Sequence, residues 1–260
     1  MLLQTGINDI FSRAKAIIPD DHFVYAKKPD GWYHGRAYVN KDAIYPHVGE
    51  LALLCREIAN HFFDRKIEVV VGPTIGAVCL AQWVAYYLGY QILAIYADEE
   101  DVLAEKEIEQ TIDLFIPQFE FDCFGKTIIS RDPESGQVKI KFKSKVGTRR
   151  VLKRGYDKLV VGKQCLIVED VINSGATVAK TIKAVFEAGG IISGVGALCN
   201  RSGGKVSAAT LGITELFSLL DLDMQMFKEE ECPICKEKGV ESVRTDLGKG
   251  KEFLARIGKK

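Results

Sequence analysis

Apolar residues fall at helical spacing in four stretches of the chain, and in short continuous runs between them. Ile7, Ile10, Phe11, Ala14, Ile17 and Ile18 share one face of a first helix, which Pro19-Asp20 closes. Leu51, Leu54, Cys55, Ile58, Ala59 and Phe62 define a second over Val48 to Phe63, and a third runs through Val78 to Leu88. Val178, Ile182, Val185 and Phe186 mark a fourth, stopped by Gly189-Gly190. The runs between them are expected as buried strands: Glu68 to Val71, Gln91 to Tyr96, an apolar run from Leu159 to Val168 broken only at 162–164, and Ile191 to Cys199. Strand and helix alternate, which predicts an α/β domain with a parallel sheet. Two shorter patterns stand outside that alternation. Phe23 to Ala26 and Ala37 to Val39 read as strands around a Pro29-Asp30-Gly31 turn, and Ile128-Ile129 with Val138 to Phe142 as an added hairpin. Gly212 to Leu222 reads as a last helix or strand.

Composition narrows the class. The 260 residues suit one large or two modest domains, and 47% hydrophobic with 27% charged residues is ordinary for a folded soluble chain. Lys plus Arg balances Asp plus Glu at 35 each, so bulk charge gives no reason to expect nucleic acid. No stretch has the length of a secretory core or a membrane span. Seven scattered cysteines fit reduced thiols and a cytoplasmic setting. The acidic run Asp98 to Glu109 is expected as a solvated insertion or helix without chemistry. Lys139, Lys141, Lys143 and Lys145 alternate with apolar residues, and are read as protection of an edge strand rather than a nucleic-acid face.

Candidate chemistry concentrates after the strand that ends at Val168. Two adjacent carboxylates, Glu169 and Asp170, precede Val171-Ile172 and a small polar turn, Asn173-Ser174-Gly175-Ala176-Thr177, that opens the fourth helix. A helix N-terminus after such a turn offers free backbone N–H groups to an anion. Acids beside it make sense when the ligand also carries hydroxyls, or a cation that offsets its charge. A ribose 5-phosphate meets both demands. Upstream, Gly72-Pro73-Thr74-Ile75-Gly76 forms a second strand-to-helix turn of the kind that lets backbone approach an anion.

The segment Val168 to Thr177 resembles the phosphoribosyl-pyrophosphate signature of the type I phosphoribosyltransferases, with Asn173 where the family usually has Thr. That resemblance implies a parallel-sheet, Rossmann-like core with an N-terminal hood over about residues 1–47, the whole catalytic domain spanning 1–230 and a C-terminal extension 231–260. It implies Mg2+-dependent transfer of ribose 5-phosphate from phosphoribosyl pyrophosphate to a nucleobase. Glu169 and Asp170 would hold the ribose hydroxyls, Asn173 to Thr177 the 5-phosphate, and Gly72, Pro73, Thr74, Ile75 and Gly76 the pyrophosphate. The chain is most similar to the orotate phosphoribosyltransferases. Tyr38-Val39-Asn40 matches their hood segment, making Asn40 a base contact. Arg149, Arg150 and Lys153 match the three cations of their mobile loop, which often enters a neighbouring subunit's site, so a homodimer is expected. The loop's His is absent here, as is the Lys those enzymes carry within the turn at 72–76. Arg201, following Asn200 at a strand end, matches the Arg that pairs with the orotate carboxylate. Purine as acceptor, or a non-catalytic sensor of phosphoribosyl pyrophosphate, are the alternatives.

Metal ligands are less evident. His22, His34 and His47 have spacings that match no closed zinc set, with no nearby Cys, and read as loop and strand-edge residues. Cys232-Pro233-Ile234-Cys235 could form half of a zinc knuckle or a redox pair, completed across a dimer or by Cys123. No protein metal site is assigned, and the Lys-rich end is expected as a solvated tail.

Overall fold

A computed structural model describes residues 4–25, 31–111, 128–131 and 137–258, with side chains for all of these but 105–111, 128–131 and 137–145. The chain divides into two compact units, residues 1–97 with 152–260, and residues 98–151.

The first unit begins with helix α1 (Gln4–Arg13), which buries Ile7, Ile10 and Phe11. It ends earlier than its apolar spacing predicts. Lys15 turns left-handed at φ 52°, and Ile17–Ile18 become strand β1 instead of a last helical turn. Strands β2 (Phe23–Val24), β3 (Tyr33–Gly35) and β4 (Tyr38–Val39) follow. β2 pairs antiparallel with β3, whereas β4 pairs with β1. The expected hairpin partner of Phe23, Ala37 to Val39, is thus displaced by Tyr33–Gly35. Most of the turn predicted between them, residues 29 and 30, lies outside the described residues.

Helix α2 (Val48–His61) and the residue after it, Phe62, present the predicted apolar face: Leu54, Cys55, Ile58 and Phe62 are fully buried. Each such aliphatic or aromatic side chain contributes about 1.5–3 kcal/mol on leaving water. Strand β5 (Val69–Pro73), buried throughout, leads into α3 (Ala77–Leu88). Strand β6 (Leu93–Thr111) begins beside β5 in parallel and continues into the second unit.

That second unit is antiparallel. β7 (Ile128–Arg131) pairs with β8 (Gln137–Val151), as the predicted hairpin requires, and β8 pairs with the later part of β6. The acidic run expected as an insertion or helix is therefore strand. Glu99 and Glu100 oppose Arg150 and Arg149, and opposite charges across a ladder support that register. The sequence also suggests turns at Phe124-Gly125 and Asp132 to Gly136, and these lie outside the described residues.

Back in the first unit, a short helix α4 (Tyr156–Leu159) precedes β9 (Gln164–Ile172), α5 (Ala176–Glu187), β10 (Ile191–Asn200), α6 (Ala208–Leu211) and β11 (Leu216–Asp221). Strands β11, β10, β9, β5 and the start of β6 lie side by side in that order, all parallel. This is the predicted α/β core. One face buries Leu54, Ile58, Leu80 and Val84 against Val70, Leu166 and Val168. The other buries Val178 and Val185 of α5 against Val71, Ile167 and Val195. Because the strands are parallel, the carboxyl ends of β5, β9 and β10 share one edge of the sheet, where open α/β sheets bind ligands.

The last elements are β12 (Phe227–Lys228), α7 (Pro233–Lys238) and α8 (Gly250–Arg256). β12 adds to β3, so residues from the two ends of the chain form one small sheet, β12-β3-β2. The Lys-rich end, expected as a solvated tail, instead forms α8 and buries Phe253 and Leu254 against Val24 and Val243. The same fold brings together residues that are apart in sequence: His22, His34, Cys232 and Cys235 converge with their ligand atoms within 4.8 Å of one another. No helix among the described residues is long and apolar enough to cross a membrane.

Candidate functional site

Glu169 and Asp170 lie near the carboxyl end of β9, only 6% and 4% exposed. Neighbours in a strand point to opposite faces, and here they line different hollows. Asp170 borders a cleft of about 220 Å³ together with Asn40, Lys41, Asn173 and Arg201. Glu169 borders a smaller hollow of about 70 Å³ formed by the Asn173–Thr177 turn and the start of α5. Val171 and Asn173 line both.

The carboxylates differ in partners. Asp170 Oδ2 lies 2.6 Å from Lys41 Nζ and 2.9 Å from the Tyr45 hydroxyl, while its Oδ1 accepts from Val171 N at 2.6 Å. The Tyr45 hydroxyl is also 2.8 Å from the Gly76 carbonyl, so its one proton is shared between two acceptors. Glu169 accepts from Asp170 N at 3.1 Å. Burial first, then the charge of Asp170, push the Glu169 carboxyl well above the usual carboxylate range. Burial, then Asp170, also raise the Tyr45 phenol. For Lys41, burial works against the charged form, but its hydrogen bond to Asp170 and that residue's charge outweigh it, and the ammonium pKa is raised.

The Gly72–Gly76 turn meets Asp170 directly. A Cβ added at Gly76 would stand 1.7 Å from Asp170 Oδ2, and one at Gly72 only 2.2 Å from the Ala77 carbonyl. Only glycine lets the end of β5 fold this tightly into α3 and against β9. Thr74 N donates to the Ala97 carbonyl at 3.0 Å, the Thr74–Ile75 peptide is cis, and Ile75 is 90% exposed. Sequence reading places an anion at this turn. Of its two glycines, Gly76 lies against Asp170 and Gly72 packs on Ala77 at the start of α3.

The second turn also joins a strand to a helix. Gly175, at φ +74°, caps α5, and Asn173, Ser174 and Ala176 are exposed around it. The first N–H groups of a 12-residue helix point out of its end, toward the hollow that Glu169 borders.

Arg201 follows β10 and is held by its backbone, donating to the Ile172 carbonyl at 2.9 Å. Its guanidinium lies over the Tyr25 ring, 5.7 Å from the centroid, and its Nε is buried with no hydrogen-bond partner among the described residues. Asn200 shapes this corner: its Oδ1 accepts from Ser202 N and its Nδ2 donates to the Val206 carbonyl, both at 3.1 Å. An aspartate could make the first bond but not the second. Asn40, half-buried, hangs from the hood through a 2.7 Å bond from its N–H to the Ala16 carbonyl.

The basic segment departs from expectation. Arg149 and Arg150 are not in a loop; they lie in β8, in the second unit, with Arg149 bridged to Glu100 at 2.7 Å and Arg150 to Glu99 at 3.4 Å. Acidic β6 residues opposite them favour strand over loop. Lys153 alone of the three sits in an exposed turn, just before the left-handed Gly155 that caps α4.

Sequence reading brought Glu169, Asp170, the two turns, Asn40 and Arg201 to one end of the sheet, and the structure joins them there. It missed Lys41 and Tyr45. Lys41 adjoins Tyr38-Val39-Asn40, which was the available signal; nothing local marks Tyr45.

This arrangement places two buried acids and two turns at the carboxyl edge of a parallel α/β sheet, and the comparisons show the family to which the chain belongs. Residues 37–210 match the family described as phosphoribosyl transferase domain, and the chain belongs to that family; it is a pentosyltransferase. It is 31% identical over 193 residues to an orotate phosphoribosyltransferase of Caldicellulosiruptor bescii, covering 74% of this chain and 73% of the relative. An orotate phosphoribosyltransferase of Chlorobium phaeobacteroides strain BS1 is 29% identical over 232 residues, 89% of this chain and 90% of the relative. Among solved structures, the fold is similar to that of Mycobacterium tuberculosis orotate phosphoribosyltransferase in complex with inorganic phosphate, at TM-score 0.51 and 18% identity, covering 84% of this chain and 96% of that one.

Proposed function

We propose that the protein transfers ribose 5-phosphate from phosphoribosyl pyrophosphate to orotate, forming orotidine 5′-phosphate and pyrophosphate. The orotate assignment is carried by Arg201. A half-buried arginine whose Nε has no hydrogen-bond partner among the described residues, on the cleft that Asp170 and Asn40 also line, suits a planar carboxylate bound through paired N–H groups. The relatives named orotate phosphoribosyltransferase support the same acceptor.

In this reading the 5-phosphate occupies the Asn173–Thr177 turn and receives the N–H groups of the α5 N-terminus. Asp170 and Glu169 accept hydrogen bonds from the ribose hydroxyls on either side of β9. Glu169, whose proton burial retains to higher pH, both donates and accepts, as a hydroxyl does. The base nitrogen attacks C1, the bond from C1 to the pyrophosphate oxygen breaks, and the electron pair leaves with pyrophosphate. Positive charge that builds on the sugar is favoured by the Asp170 carboxylate. Negative charge that builds on the leaving group is favoured by the Gly72–Gly76 backbone and by Lys41 beside it, 2.9 Å from where a Gly76 Cβ would stand. Lys41 thereby supplies from the hood the cation that the turn at 72–76 lacks. Lys153, in its exposed turn, is the remaining candidate of the basic segment.

Magnesium fits this site as a companion of the donor. The cleft beside Asp170 is lined by oxygen and cationic side chains, with no thiol or imidazole among them, which suits a hard ion held mainly by phosphate oxygens. Asp170 is the carboxylate at the end of β9 that would face it, and it would offset pyrophosphate charge.

Incubation with Mg2+, phosphoribosyl pyrophosphate and each base in turn, with pyrophosphate release as the readout, tests the reading. Release with orotate and not with adenine, guanine or hypoxanthine is expected. Release with a purine alone would overturn it.

A further inference from the structure

The four residues gathered at the β12-β3-β2 sheet have no part in that chemistry, and their geometry is specific. His22 Nε2 lies 3.0 Å from His34 Nδ1, 3.5 Å from Cys235 Sγ and 3.7 Å from Cys232 Sγ, and Cys235 Sγ is 3.2 Å from His34 Nδ1. A tetrahedral ion with legs of about 2.0 Å to nitrogen and about 2.3 Å to sulfur has edges of about 3.3 to 3.8 Å between its ligands. The observed separations scatter around that range. We propose that His22, His34, Cys232 and Cys235 bind one zinc ion, which fastens the C-terminal segment to the N-terminal hood.

Three further observations carry the assignment. First, the imidazole of His22 is preset as a ligand. The Ser242 hydroxyl donates its only proton to the Gly239 carbonyl at 2.6 Å, so toward His22 Nδ1, also at 2.6 Å, it must accept. The proton of His22 therefore sits on Nδ1, and the Nε2 lone pair faces the cluster. Metal-bound histidines are commonly oriented in this way by a bond at the other ring nitrogen.

Second, the site is buried and polar. His22, His34 and Cys232 are 1%, 0% and 0% exposed, and His34 Nε2 has no hydrogen-bond partner among the described residues. Four clustered polar side chains are costly in a protein interior. A zinc ion that displaces the two thiol protons leaves a site of two thiolates, two neutral imidazoles and Zn2+, with no net charge to bury. Cys232 Sγ also accepts the Cys235 N–H at 3.4 Å at the start of α7.

Third, the surrounding core is small. Val24, Val243, Phe253 and Leu254 are its buried residues, at the junction of two segments distant in sequence. His34 packs edge-on against Phe253 with centroids 4.7 Å apart, and β12 pairs with β3 through Phe227 and His34. So few apolar side chains rarely hold such a junction alone, and a structural metal is a frequent addition. All four ligand positions are filled by protein, which marks a structural site rather than a catalytic one.

The test uses the full chain, purified without chelator or affinity metal. Elemental analysis should find one zinc per chain. Removal under reducing conditions followed by Co2+ should give the intense visible absorption of a tetrahedral thiolate-bound cobalt ion. His34→Phe, which keeps the ring volume, should lower the metal to below about a tenth of an equivalent, whereas His34→Cys, which restores a ligand, should recover it. Ser242→Ala should weaken zinc affinity about 10- to 100-fold. Protein that carries no zinc, and takes up neither zinc nor cobalt when reduced, would overturn the proposal. So would a Cys232–Cys235 disulfide as the native state, or full zinc retained by His34→Phe. Each reading is made on the wild-type chain as well as the variants, so failure of a variant to fold leaves the decision intact.

Discussion

Lys41 Nζ lies 2.6 Å from Asp170 Oδ2, a contact between residues 129 positions apart that ties the hood to the strand carrying the signature acids. The Lys41 side chain is 38% exposed and that of Asp170 5%. Removing the ammonium leaves a buried carboxylate with the Tyr45 hydroxyl and the Val171 N–H as partners. Lys41→Met should destabilise by about 1–2 kcal/mol, the modest part of the range for charged hydrogen bonds because the lysine is partly solvated. Turnover should fall about 100-fold. A double-mutant cycle with Asp170→Asn, read by urea unfolding, should reveal favourable coupling between the two residues; additive losses would separate them.

Gly76 is the narrowest point of the site. Its replacement by Ala demands that Asp170 Oδ2, 1.7 Å from the new Cβ, move together with its partners. Gly76→Ala should cost at least about 100-fold in kcat/KM, while the loss of stability stays near 1–3 kcal/mol, as for other overpacked positions. Steady-state kinetics beside thermal unfolding checks that division. An active Gly76→Ala enzyme would show that the turn need not approach Asp170.

Arg201 sets the acceptor. Arg201→Ala should raise the KM for orotate by about 10- to 1000-fold, as expected for a lost charge-assisted pair, with a much smaller change in the KM for phosphoribosyl pyrophosphate. Equal effects on both substrates would place Arg201 elsewhere in the reaction.

The residues of the site differ in how far the sequence displays them. Glu169, Asp170 and the Asn173–Thr177 turn are contiguous, so the change from strand to helical period displays them directly. Arg201 was readable because it ends the next parallel strand. Lys41 and Tyr45 reach Asp170 only through folding of the hood, and no periodicity reports a contact 125 to 129 residues away. Arg149 and Arg150 were mistaken for loop residues for a similar reason: the glutamates that pair with them, 49 to 51 positions upstream, looked like an inert acidic run. The histidine–cysteine cluster escaped because spacing rules look for ligands within one segment. Here His22 and Cys235 are 213 positions apart and meet only when β12 joins β3.

Glu169 predicts a pH dependence. Its folded-state pKa is raised, so the folded protein holds a proton that the unfolded chain releases at lower pH. Stability from this group is therefore present below the unfolded carboxylate pKa and is lost as pH rises toward the folded value. Glu169→Gln keeps the shape and cannot ionise. Its stability relative to wild type should increase with pH through that window, with a slope of up to about 1.4 kcal/mol per pH unit. Urea unfolding of both proteins at pH 5, 7 and 9 gives the slope; parallel curves would mean that Glu169 titrates as an ordinary surface acid.

The most direct test of the central claim is calorimetric titration of phosphoribosyl pyrophosphate into the purified chain, with and without Mg2+, for wild type and Asp170→Asn. Saturable binding at one donor per chain is predicted for wild type in the presence of Mg2+, weakened at least about 10-fold by the substitution. No binding to wild type, or affinity untouched by Asp170→Asn, would contradict the assignment of the donor to the meeting point of β9, the glycine turn and the hood.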